Sequence, residues 1–91
     1  MQTNGKITLE GNYKNSGFGF SCMQRADALN VCGKFEYLSE TAIQINVSGK
    51  NDVLQKLFNW GLEQTETTSG TFGPDNAKPS QYKEFEIINQ L

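Results

Sequence analysis

The residues best placed to do chemistry are Lys14-Asn15-Ser16-Gly17-Phe18-Gly19-Phe20-Ser21. Two glycines two residues apart can hold backbone angles closed to other residues, so that successive N–H groups turn into one concavity. A helical pattern begins just beyond, and a helix N-terminus adds partial positive charge at the same place. Ser16, Gly17, Phe18, Gly19, Phe20 and Ser21 therefore outline a main-chain cradle for a small anion. The loop holds no cation of its own.

Residue types elsewhere narrow the chemistry further. There is no histidine, which removes Ser-His-Asp and Cys-His catalysis together with the commonest metal ligand. Arg25 is the one arginine. Cys22 and Cys32 lack metal spacing; a bridge between them is one reading, and two partly buried thiols, as a reducing cytoplasm favours, is the simpler one. A nucleophilic Ser21 would need a base beside it, and none is visible; a helix N-cap hydroxyl is the simpler reading. Glu36, Glu40 and Asp52 show no pairing suited to acid–base work. No metal or cofactor is expected.

The elements that would position the loop follow from periodicity. Ile7, Leu9 and Tyr13 alternate with Thr8, Glu10 and Asn12, which predicts a half-buried strand over Lys6 to Tyr13. Phe20, Met23, Ala26 and Leu29 recur at helical spacing, so a helix is predicted over Phe20 to Leu29, ending at Asn30. Val31, Phe35 and Tyr37, then Ile43, Ile45 and Val47, form a hairpin about Ser39-Glu40. Asp52 with Gln55 has capping-box spacing, ahead of a helix carrying Leu54, Leu57, Phe58 and Gly61/Leu62. Thr65 to Phe72 suits a weak edge strand, Gly73 to Ser80 a loop, and Tyr82 to Ile88 a closing strand. The order β-α-β-β-α-(β)-β implies an α+β, ferredoxin-like βαββαβ sandwich, an antiparallel sheet with two helices on one face.

Size and charge set outer bounds. A chain of 91 residues is expected to form one domain over 1–91, because two cores would each be too small. With 36% hydrophobic and 20% charged residues it has the makeup of a globule rather than a disordered segment. A net charge of −2 argues against nucleic-acid and membrane-surface partners, which call for a basic patch. No apolar run approaches the ~20 residues that span a bilayer. MQTNGKITLE has no basic and apolar leader pattern, so a cytoplasmic location is expected.

Taken in order, these segments resemble the acylphosphatase family over nearly the whole chain. Gly17-Phe18-Gly19-Phe20-Ser21 resembles the family's G-V-G-F-R loop, and Gly33-Lys34-Phe35-Glu36-Tyr37-Leu38 stands where the family carries G-W-V-R-N-L. Leu57-Phe58-Asn59-Trp60 is similar to its FLxWL-like helix, and Phe85-Glu86-Ile87 to its terminal FEI strand. In that family the loop amides and the arginine hold the phosphate of an acyl phosphate, while the asparagine orients the attacking water. Carried across, the arginine becomes Ser21 and the asparagine becomes Tyr37.

Both replacements matter physically. A guanidinium is always charged and gives two parallel hydrogen bonds to phosphate oxygens, whereas a serine hydroxyl gives one neutral donor. Losing one preorganised donor already costs ~3–4 kcal/mol, or ~10² to 10³ in rate. A phenol does not reproduce a flat amide that donates and accepts together. The resemblance thus implies a non-hydrolysing acylphosphatase-like domain that acts as a binding or interaction module, with a weak anion site in Ser16 to Phe20. Its partner would be phosphate or another small anion; a protein partner is not indicated.

The alternative is an active acylphosphatase using a displaced cation. Arg25 lies one turn past Ser21, a rise of ~6 Å that an extended arginine can span. Lys14 is the second candidate. A third reading, an RNA-recognition motif whose aromatic box is Gly17-Phe18-Gly19-Phe20, fails on position. That box belongs on a third strand, and here it follows the first.

Overall fold

The structure is a computed structural model that describes residues 3–14, 16–74 and 84–88. Period-two patterning produces strands with one buried face. β1 (Thr3–Gly11) buries Ile7 and Leu9, β2 (Cys32–Ser39) buries Phe35 and Tyr37, and β3 (Ala42–Gly49) buries Ile43, Ile45 and Val47. β4 (Thr67–Pro74) and β5 (Phe85–Ile87) complete one sheet in the order β4-β1-β3-β2-β5. β1 runs antiparallel to β3 and β4, and β2 antiparallel to β3. β5 adds a parallel partner to β2, so the sheet is mixed about an antiparallel centre. The molecule has the ferredoxin-like α+β architecture, with both helices over the apolar face.

α1 (Phe18–Ala28) starts two residues earlier than the sequence pattern indicates. Gly17 adopts left-handed angles, φ 67° and ψ 20°, and turns the chain so that Phe18 is already helical. The inward face therefore runs Phe18, Cys22, Ala26 at i, i+4, i+8. Phe20, expected to begin the apolar stripe, is instead 59% exposed. The helix stops as expected at Asn30, whose φ of 58° closes a Schellman turn: Val31 N–H donates to Ala26 O at 2.9 Å and Asn30 N–H to Asp27 O at 3.1 Å.

α2 (Asn51–Glu63) buries Leu54, Leu57 and Gly61. Its N-cap is the extended Lys50, not Asp52, because β3 continues to Gly49 and leaves a single residue before the helix. Asp52 lies inside the first turn, where its carboxylate favours the positive helix end. The Gln55 amide donates to Asn59 Oδ1 at 3.0 Å instead of reaching back to the cap. The edge strand runs on to Pro74, so the expected loop loses Gly73 and Pro74 to β4, and residues 75–80 of it lie outside the described residues. Tyr82 and Lys83 of the closing strand also lie outside them. No described helix is long and apolar enough to cross a membrane.

Candidate anion loop at the start of the first helix

From the last residue of β1 onward the chain is pinned by three backbone bonds. Gly11 N–H donates to Thr41 O at 2.9 Å, Asn12 N–H to Glu66 O at 2.8 Å, and Tyr13 N–H to Glu40 O at 3.0 Å. Tyr13 is buried beneath the loop, with its ring centroid 4.8 Å from that of Phe18 and its hydroxyl 2.9 Å from Thr67 Oγ1. Burial raises the pKa of its phenol above the usual value, with the Thr67 hydrogen bond opposing in part. Phe18 in turn stacks toward Trp60 of α2 at 5.6 Å. An aromatic floor supports the turn.

The loop's main-chain nitrogens are largely spoken for. Ser16 N–H donates to Tyr13 O at 3.2 Å, and the Ser16 hydroxyl donates to the same carbonyl at 2.7 Å. That hydroxyl oxygen then accepts Phe18 N–H at 3.2 Å, which caps the helix. Gly19 N–H donates to Tyr37 Oη at 2.8 Å, a buried bond. Ser21 N–H donates to Gly17 O at 3.2 Å, the first intrahelical rung. None of these bonds uses the N–H of Gly17 or Phe20.

Each predicted site residue now has a place. Gly17 supplies the left-handed turn, as the glycine spacing suggested. Gly19 is needed for proximity instead, because a Cβ there would lie 3.1 Å from both Tyr37 Oη and Phe35 Cε1. Ser21 is exposed within α1 and is not its N-cap; Gly17 is, with the Ser16 hydroxyl serving it from one residue earlier. Tyr37 reaches from β2 to the underside of α1, its ring edge-on to Phe35 at 4.9 Å. Lys14 Nζ lies 3.7 Å from Glu40 Oε1, and both side chains are solvent-exposed. Arg25 is exposed in the last turn of α1 and makes no side-chain hydrogen bond or ion pair with another described residue.

Sequence reasoning missed two roles. The double use of the Ser16 hydroxyl has a legible signal, since serine just before a glycine turn favours such local bonds. The Tyr37–Gly19 bond has none, being a long-range consequence of the sheet register. Among the described residues no cluster of His, Cys, Asp or Glu could hold a metal ion. Cys22 and Cys32 are free thiols, and burial pushes the Cys22 thiol well above its ordinary range.

No family model and no curated protein matches the sequence. Solved structures do match its shape. An acylphosphatase from Coxiella burnetii superposes with a TM-score of 0.83 at 19% identity, over 94% of this chain and 92% of its own. An acylphosphatase from Bacillus subtilis gives 0.83 at 16% identity, over 98% and 100%. Full-length HypF, in its phosphate- and nucleotide-bound form, gives 0.81 at 16% identity over 98% of this chain and 12% of its own. The chain has the acylphosphatase fold.

Proposed function

We propose that this protein is an acylphosphatase-fold domain without acyl-phosphate hydrolysis, one that works by binding rather than turnover. The bond from Gly19 N–H to Tyr37 Oη carries this reading. By the resemblance, position 37 is where a catalytic asparagine would orient water, and the Gly19 amide is one of the donors a phosphate would need. A phenol oxygen from the first position occupies the second. At position 21 a neutral, exposed hydroxyl stands in place of a guanidinium. The N–H groups of Gly17 and Phe20, with the positive end of α1 behind them, leave a weak site for phosphate or another small anion.

Turnover of benzoyl phosphate tests the proposal. The expected rate equals that of buffer. Hydrolysis that Arg25→Ala or Lys14→Ala abolishes would establish a displaced cation and overturn it. A phosphate titration followed by amide shifts supplies the binding arm: movement at Gly17 and Phe20 is expected, with Gly19 held on Tyr37.

A further inference from the structure

The sheet face away from the helices carries a carboxylate set between small neighbours. Glu10 is exposed near the end of β1, on the face opposite Ile7 and Leu9. Its cross-strand partners are Ala42 of β3 and Ser69 of β4, neither of which fills the space beside it. Directly opposed side chains stand about 5 Å apart, so a longer residue on either strand would have met the carboxylate. Past Glu10 the β1–β4 register shifts and leaves Thr68 as the extra residue of a bulge. Two cavities open at this place. One of about 530 Å³ lies over Gly11, Asn12, Thr41 and Thr68, one of about 120 Å³ over Thr8 and Thr71, and Glu10 lines both.

The lining accepts hydrogen bonds more readily than it donates them. Gly11 N–H is held by Thr41 O at 2.9 Å, Asn12 N–H by Glu66 O at 2.8 Å, and Thr41 N–H by Ser39 Oγ at 3.2 Å. The Thr68 hydroxyl donates to Glu10 O at 3.1 Å, which leaves its oxygen as an acceptor. Among the described residues no cation pairs with the Glu10 carboxylate. Lys14, four residues on, lies 3.7 Å from Glu40 instead. Lys6, four residues back on the same face, stands ~13 Å away along the strand. Glu66 adds to the negative charge at this end, since both it and Glu10 act on the Tyr13 phenol.

We propose that this cavity binds a small organic cation with N–H donors, for which a guanidinium is the best fit. Its planar fork gives two parallel bonds to a carboxylate, and its remaining N–H groups suit the threonine and Asn12 oxygens around Glu10. An anion would meet the carboxylate and find the main-chain donors already engaged. A hard divalent ion takes six or more oxygens, and no cluster of acidic ligands stands here among the described residues. A neutral polyol would use the hydroxyls and gain nothing from the charge. This inference is independent of the anion loop and its ligand.

Amide shifts of the full chain, titrated with methylguanidinium chloride at constant ionic strength, decide it. Saturable movement at Glu10, Gly11, Asn12, Thr41, Ala42 and Thr68 is expected, with a Kd of about 1–10 mM. Glu10→Gln keeps the shape, removes the charge and should weaken binding about tenfold or more. Ala42→Arg sets a tethered guanidinium opposite Glu10 and should abolish the response to the added one. Tetramethylammonium, a cation without N–H donors, should leave the same amides unsaturated. Absence of saturation by about 50 mM methylguanidinium overturns the proposal. So does an equal response to tetramethylammonium, xylitol or calcium chloride, or a Glu10→Gln variant that binds as the parent does.

Discussion

Tyr37 and Gly19, 18 positions apart in sequence, are joined by a buried hydrogen bond of 2.8 Å from the backbone N–H to the phenol oxygen. The amide is one of the orphan donors at the start of α1, a place where a helix would otherwise seek water, a cap or an anion. Here β2 supplies the acceptor. That one donor at the positive end of the helix is satisfied from inside the fold.

Tyr37→Phe removes that acceptor and leaves the Gly19 N–H buried without it. The expected loss is about 1–3 kcal/mol in urea unfolding. Phosphate should then raise the Tm of the variant more than that of the parent chain, because a donor has been freed. Equal phosphate responses would count against the role assigned to the phenol.

The two loop phenylalanines should behave oppositely. Phe18 is 1% exposed and packs on Tyr13 and Trp60, so Phe18→Ala is expected to cost about 3–5 kcal/mol. Phe20 points to solvent, and Phe20→Ala should stay within about 0.5 kcal/mol. Chemical denaturation of both variants checks the contrast.

Stability should fall at alkaline pH. Burial raises the Cys22 thiol pKa in the folded chain, so the unfolded chain releases that proton first. The contribution is complete below the unfolded pKa of about 8.5 and declines above it by about 1.4 kcal/mol per pH unit. Tyr13, whose pKa burial also raises, extends the decline beyond its usual 10.0. Unfolding curves at several pH values should show the slope between pH 9 and 10, and Cys22→Ala should flatten it there.

Gly17→Ala isolates a backbone term. A Cβ at this position meets nothing within 4 Å, so the cost comes from φ 67° alone. About 1–2 kcal/mol is expected, and Gly17→Asn should lose less, since asparagine visits the left-handed region more readily. Thermal melts of the two variants give the comparison.

Strands were the readily legible part of this chain. Ile7 and Leu9, and likewise Ile43, Ile45 and Val47, face the core as their alternation indicates, because a buried face fixes register through a period of two; the strand expected to reach Tyr13 ends at Gly11, and Tyr13 is buried from the turn beyond it. Helix starts were less legible. Whether Phe18 or Phe20 turns inward depends on one dihedral angle at Gly17, and whether Asp52 caps α2 depends on how far β3 runs. Both are decided by neighbouring elements rather than by local residue type. The glycine-rich loop could be found from sequence, but the satisfaction of its amides by Ser16 and Tyr37 could not, since hydrogen-bond partners follow from tertiary register.

Lys50 alone separates β3 from α2, and its carbonyl accepts both Val53 N–H and Leu54 N–H at 3.0 Å. A joint this short has no slack. The innermost β-hairpin and the second helix must therefore shift, open and exchange their protons as a single body. A residue added there would drag Leu54 out of its socket.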